Sequence, residues 1–250
     1  MYVADYGNHR VQKFDSEGNF VSTFGKFGTG DDQFNTPVTV KVDHVGNLFV
    51  SDEHNNRIKK YDFNGNLVSI FGTKGNKPGE FNIPTGIAVD RKGDVFIADW
   101  ENNRVQKFDS EGNFVSTFGS QGTDNGNFNQ PWGIAIDDYG FIFVADTNNH
   151  RIQKFDSEGN FVSTFGKFGT AKGEFSNPAD ITIVDSQLYV VDWNNNRIQI
   201  FDLKGNFVKS FDMIGNEQGQ FNKPWGIGAH NEYVYVADTN NNRIQIFKIK

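Results

Sequence analysis

Apolar residues along this chain fall into short runs that recur in a fixed order, here called A to D. Run A follows a proline, as in Pro84 to Asp90 and Pro131 to Asp137, and its residues are small or β-branched on both faces. A strand buried on both sides and closely approached by its neighbours has that composition. Run B, as in Leu48 to Asp52, Val95 to Asp99 and Ile142 to Asp146, is again apolar throughout and belongs in the middle of a sheet. Run C, as in Arg151 to Phe155, alternates polar and apolar residues, and run D, as in Phe161 to Phe165, mixes hydroxyl and aromatic residues, so exposure grows from A to D. The tight links between C and D carry Gly-Asn at Gly18, Gly65, Gly112, Gly159 and Gly205. These residues tolerate positive φ and predict hairpin reversals. No segment has a helical period.

The runs are written in copies. Phe14 to Gly25, Phe108 to Gly119 and Phe155 to Gly166 are identical, with looser versions at Tyr61 to Gly72 and Phe201 to Asp212. An Asp-x-x-Asn-(His/Asn)-Arg pattern precedes each, starting at Asp5, Asp52, Asp99, Asp146, Asp192 and Asp238, so the step is 47, 47, 47, 46 and 46 residues. A period in this range indicates a solenoid or a propeller. Four antiparallel strands per unit, apolar inside and polar outside, select the propeller blade. The expected fold is therefore an all-β propeller over residues 1–250, with units at about 1–25, 26–72, 73–119, 120–166, 167–212 and 213–250. Runs B and C occur six times and runs A and D five times, because the chain opens B-C-D and closes A-B-C. Six blades, two of them three-stranded, are favoured. The alternative is five blades, closed by pairing the N-terminal D with the C-terminal A-B-C and displacing residues 1–14. An open terminal edge invites self-association.

The order Pro-x-Gly-Ile-Ala-Val-Asp, then apolar-Val-Ala-Asp-x-x-Asn-His-Arg, then Ile-Gln-Lys-Phe-Asp-x-x-Gly-Asn-Phe resembles the NHL repeat family of propellers across essentially the whole chain. The name-giving Asn-His stands at Asn8-His9 and Asn149-His150, followed by Arg where the family name has Leu, and the other four copies have Asn-Asn. The resemblance implies a ring, usually of six blades, that serves mostly as a binding platform for proteins or RNA. Enzymatic relatives of similar form are a minority.

Composition narrows these expectations. There are 26 phenylalanines, flat side chains suited to packing between twisted sheets. With no cysteine there is neither a disulfide scaffold nor a thiolate metal site. A net charge of −7 and a pI near 5.2 oppose the basic footprint of a nucleic-acid binder. No apolar run approaches the roughly 20 residues that span a bilayer. Met1 already lies inside a repeat, so the start reads as a cut through a longer protein.

The most regular polar feature is an Asp and an Arg five residues apart: Asp5/Arg10, Asp52/Arg57, Asp99/Arg104, Asp146/Arg151, Asp192/Arg197 and Asp238/Arg243. A feature present in every copy is expected to organise the B–C turn rather than act once as a site. His9, His54 and His150 lie in B–C links, His44 and His230 in A–B links on the opposite face, and a catalytic zinc wants about three converging ligands. No metal, cofactor or catalytic residue is assigned. What varies between copies is more informative. After the run A proline stand Val38, Thr85, Trp132, Ala179 and Trp225; after the run B Asp stand Tyr6, Glu53, Trp100, Thr147, Trp193 and Thr239. D–A and B–C links share one face, so all four tryptophans are expected there as two separated pairs, Trp100 with Trp132 and Trp193 with Trp225. Tyr6, Glu53, His54, Glu101 and Asp180 join or border them, and Asp180, in a glycine's place, is expected to project towards the channel mouth. The predicted function is non-catalytic recognition of a protein or peptide through this face. Alternatives are carbohydrate binding, a metal-dependent lyase or hydrolase, and a structural or engineered array without a ligand.

Overall fold

A computed structural model describes residues 1–249. The chain divides into two compact units, Met1–Thr117 and Phe118–Lys250. The first begins with a three-stranded blade of β1 (Tyr2–Asp5), β2 (Arg10–Phe14) and β3 (Phe20–Phe24). A four-stranded blade follows, β4 (Pro37–Val42), β5 (Leu48–Asp52), β6 (Arg57–Tyr61) and β7 (Leu67–Phe71). The third blade is β8 (Pro84–Val89), β9 (Val95–Asp99), β10 (Arg104–Phe108) and β11 (Phe114–Phe118), which ends at the junction.

In the second unit the fourth blade is β12 (Pro131–Ile136), β13 (Ile142–Asp146), β14 (Arg151–Phe155) and β15 (Phe161–Phe165). The fifth is β16 (Pro178–Val184), β17 (Gln187–Asp192), β18 (Arg197–Asp202) and β19 (Phe207–Phe211). A parallel two-stranded pair in the following link, β20 (Met213–Ile214) and β21 (Gln220–Phe221), leads to the three-stranded sixth blade, β22 (Pro224–His230), β23 (Tyr233–Asp238) and β24 (Arg243–Lys248). Among the described residues the only helical elements are single 3₁₀ turns, so the protein is an all-β propeller of six blades.

The five-bladed alternative does not hold. Tyr2 to Asp5 pair with Lys13 to Arg10, and β2 pairs in turn with β3, so residues 1–14 belong to a blade of their own. The Asp5–Arg10 contact of 2.7 Å and the left-handed His9 at φ 55° close that hairpin.

Two bulges recur and re-aim side chains. In β12 the register runs Pro131↔Asp146 and then Ile134↔Val144, so Trp132 and Gly133 together face the single Ala145; β4, β8, β16 and β22 repeat this irregularity. The second bulge lies between C and D strands, where Lys154↔Ser163 gives way to Phe155↔Phe161 and Val162 is turned out to solvent. Core packing is aromatic. Each D–A link drives one phenylalanine fully inward, Phe34 and Phe81 in the first unit and Phe128, Phe175 and Phe221 in the second. Phe81 packs with Phe108, Phe49 and Ile97 between the second and third blades, and Phe175 with Phe201, Phe143 and Val190 between the fourth and fifth.

Candidate functional site

The B–C links are held by a network copied from blade to blade. Asp192, fully buried, accepts Arg197 Nε at 2.7 Å, Asn195 Nδ2 at 2.9 Å and Gln199 Nε2 at 3.1 Å on one oxygen, and the backbone N–H of Ser176 at 2.7 Å on the other. Arg197 then donates to the carbonyls of Thr170, Ala171 and Glu174. Burial pushes the Asp192, Asp146 and Asp99 carboxyls upwards, against the lowering effect of these donors. All six Asp–Arg pairs close at 2.7–2.8 Å. From the second blade onwards the Arg of each pair also ties its B–C link to the backbone of the preceding D–A link.

The residue before each Arg sits in the left-handed region, His9 at φ 55°, Asn56 at 54°, Asn103 at 53°, His150 at 55°, Asn196 at 53° and Asn242 at 51°. Asn tolerates that conformation, and His is enriched there among non-glycine residues. Their side chains also do one job. His150 Nδ1 accepts the N–H of Asn177 at 3.1 Å and His9 Nδ1 that of Thr36 at 3.1 Å, as Asn56 Oδ1 accepts from Ile83 at 2.9 Å and Asn196 Oδ1 from Lys223 at 2.7 Å. Burial lowers the His150 pKa, which keeps the accepting nitrogen unprotonated. Among the described residues no three His, Asp or Glu side chains converge as a metal-binding group.

In the second unit the variable positions come together. Trp225 lies edge-on to Trp193, with ring centroids 4.7 Å apart and planes at 77°, and edge-on to Trp132 at 4.8 Å and 87°. The two expected pairs are therefore not separate, since Trp225 belongs to a trio with Trp132. The reason is the bulge: Trp132 and Trp225 are bulge residues of the fourth and sixth blades, and the fifth blade has the small, buried Ala179 at the same position, leaving room for the two indoles to meet. All three rings stay partly exposed. Lys223 Nζ stands 4.7 Å from the Trp193 ring centroid and donates to Asn194 Oδ1 at 2.7 Å. Reading the sequence missed both flanking residues; a Lys beside the proline of a tryptophan-bearing copy was the available signal. Asp180 does not project freely, because its carboxylate accepts the N–H of Ile227 on the next blade at 2.9 Å and that of Ile181 at 2.9 Å.

The first unit holds the remaining candidates. Trp100 is half-buried and Glu101 exposed at the start of their link. Tyr6 is 50% exposed, whereas Glu53, expected on the surface, is 6% exposed. Its Oε1 lies 3.5 Å from His54 Nδ1 and its buried Oε2 has no hydrogen-bond partner. Desolvation raises the Glu53 pKa to about 7, and the nearby carboxylate, after burial, raises that of Tyr6. His54 contacts the Thr36 hydroxyl. Lys59, fully buried, replaces the glutamine that other copies carry as Gln12, Gln106, Gln153, Gln199 and Gln245. It donates to the carbonyls of Asp31 at 2.9 Å, Gly30 and Gln33, with its pKa lowered to about 8 by burial and then by Arg57.

Blades of this strand order with links of this design define a β-propeller built from repeats. Comparison with known families agrees: the NHL repeat model matches residues 81–108 and 128–155, and a model described as a 6-bladed beta-propeller matches residues 170–250. The chain carries NHL repeats at those two stretches, within a β-propeller. No curated protein matches it in sequence. Among solved structures it is similar to a streptogramin B lyase (17% identity, 100% of this chain and 79% of that one, TM-score 0.69) and to virginiamycin B lyase from Staphylococcus aureus (14%, 100% and 76%, TM-score 0.68). It is equally similar to a chain of a nidogen/laminin complex (15%, 99% and 88%, TM-score 0.71). At these identities the likeness is one of fold.

Proposed function

We propose that this propeller is a non-catalytic binding module that recognises a protein or peptide, with the Trp132, Trp193 and Trp225 cluster as its anchor surface. The observation that carries the reading is that cluster: three partly exposed indoles brought into contact, at positions where other copies carry Val, Thr or Ala (Trp132 and Trp225) or Tyr, Glu, Trp or Thr (Trp193). The repeat does not need tryptophan there to fold. Aromatic side chains grouped on a surface supply large contact area at small entropic cost and dominate hot spots. The nidogen/laminin neighbour is a propeller-like chain in a protein complex, which supports a protein partner for this shape. The test is a binding screen against peptide, glycan and single-stranded RNA arrays beside a folded Trp132→Ala/Trp225→Ala variant. Peptide signal that disappears in the variant is the expected result; peptide signal that survives it removes the anchor surface, and glycan-only signal replaces the ligand class.

A further inference from the structure

Two link positions beside the tryptophans also vary between copies: the residue before each run A proline and the second residue after each run B Asp. In the first unit they are Gly7, Thr36, His54, Ile83 and Glu101. In the second unit they are amides, Gln130, Asn148, Asn177, Asn194 and Asn240, with Lys223 the one exception. Five of these side chains join into a hydrogen-bonded ribbon across three blades. Lys223 Nζ donates to Asn194 Oδ1 at 2.7 Å, Asn194 Nδ2 to Asn177 Oδ1 at 2.8 Å, Asn177 Nδ2 to Asn148 Oδ1 at 2.8 Å, and Asn148 Nδ2 to Gln130 Oε1. Every bond points the same way, so each polarises the next and the ribbon carries an ammonium at its donor end. Blades of the first unit form without it, so the repeat does not need it to fold.

We propose that, within the peptide-binding reading above, this ribbon is a main-chain rail. It takes an extended segment whose peptide units pair with Asn148 and Asn194, whose carboxylate meets Lys223, and whose large apolar side chain, next to that carboxylate, enters the angle between Trp193 and Trp225. Asn148 and Asn194 hold equivalent places in the fourth and fifth blades, the first exposed and the second half-buried. Each commits one amide N–H and one carbonyl lone pair to the ribbon, which leaves a second N–H and a second lone pair. A planar amide offering one donor and one acceptor is complementary to a peptide unit, which offers the same two. Because its neighbours already hold it in place, it loses little freedom on binding. Lys223 Nζ has donors beyond the one given to Asn194 and no carboxylate partner among the described residues. The tryptophans favour a peptide over a sugar. A sugar ring lies flat on an open indole face, whereas Trp225 meets Trp132 and Trp193 at 87° and 77° and Lys223 Nζ stands over the Trp193 ring. Such a corner takes a side chain.

The probe is an array of acetylated short peptides, each made with a free C-terminal carboxylate and as the C-terminal amide, with and without an internal Asp or Glu. The peptides that bind are expected to carry a carboxylate beside Phe, Trp, Leu or Met, and the two series tell a chain terminus from an acidic side chain. Neutralising that carboxylate weakens binding about tenfold in the parent. It has no effect in Lys223→Gln, which sets at this left-handed position the residue that Gln130 already places in another copy. Methylating the peptide nitrogen that pairs with Asn148 likewise costs about tenfold in the parent and about threefold or less in Asn148→Ala. Failure of either difference overturns the rail; where peptide signal still disappears in Trp132→Ala/Trp225→Ala, the anchor surface stands without it. Folded protein that binds no peptide, or glycans alone, removes both.

Discussion

Trp225 stands edge-on to Trp132 across 4.8 Å although a whole blade lies between them in the chain. The contact exists because a bulge turns both indoles away from the sheet and Ala179 leaves the intervening position small. Trp225 is thus the shared member of two ring contacts. Its replacement by Ala removes both and costs about 2 kcal/mol, whereas Trp193→Ala removes, of the two, only the ring contact with Trp225 and costs less. Near-UV circular dichroism and urea unfolding of the two variants check this; equal loss of aromatic signal in both refutes the central placement of Trp225.

The six Asp–Arg struts differ in burial, and their energetic weight follows. Asp192 is fully buried against an Arg197 side chain 8% exposed, while Asp5 and Arg10 are 20% and 39% exposed. Truncating one partner of a buried pair strands the other charge, so Asp192→Ala costs about 3–5 kcal/mol. Asp5→Ala costs roughly 1 kcal/mol because water reaches the remaining guanidinium. Urea midpoints of the two variants give the comparison, and a larger effect at Asp5 contradicts it.

Glu53 makes stability fall as the solution becomes neutral. Its folded carboxyl keeps the proton up to about pH 7, against an ordinary value of 4.5. The folded state therefore binds more protons than the unfolded chain across that window, and the associated stabilisation is full below pH 4.5 and lost as pH rises through 7. Glu53→Gln flattens this slope. Thermal melts of parent and variant at intervals from pH 4 to 8 measure it; parallel curves refute the assignment.

Lys59 acts in the opposite direction at higher pH. The folded ammonium loses its proton near 8 rather than 10.5, so the unfolded chain binds more protons between these values and stability rises with pH across them. Lys59→Gln restores the residue of the other five copies and removes this rise. At pH 7 the variant is more stable by about 1 kcal/mol, since no buried charge has to be desolvated. Denaturation at pH 7 and pH 10 separates the two chains.

Gly133 lies at a close approach of the fourth and fifth blades. A Cβ there would lie 2.6 Å from Ala179 O and 2.7 Å from Asp180 Cα, both backbone atoms, so Gly133→Ala forces the inner strands apart and costs about 1–3 kcal/mol. Gly7→Ala meets nothing within 4 Å and leaves the melting temperature within a degree or two.

Strands and hairpins were legible in the sequence because their signals are local: alternation in Arg151 to Phe155, continuous apolar character in Ile142 to Asp146, and Gly-Asn at Gly159. The three-stranded blades at both ends followed from counting runs. The bulge at Trp132 was not legible, because a bulge is a property of two paired strands and leaves no period in either one. The Trp132–Trp225 contact inherits that invisibility. Glu53 misled for another reason: a carboxylate in a polar link is ordinarily solvated, and only the three-dimensional surroundings show that this one is enclosed. For Asp180 the sequence suggests projection towards the channel mouth, because its acceptor role depends on Ile227, 47 residues away.

The three identical segments beginning at Phe14, Phe108 and Phe155 bear on how the chain finds this structure. Once unfolded, the outer strand of one copy fits the hairpin of another with the same side chains in the same register, and no contact energy separates the native partner from the foreign one. What separates them is proximity along the chain. Pairing across a hairpin rather than across a loop some tenfold longer is favoured by about 2 kcal/mol of closure entropy. That is roughly a thirtyfold preference, small enough for strand-exchanged kinetic traps to form, and it places the burden of distinguishing one blade from the next on the dissimilar links between them.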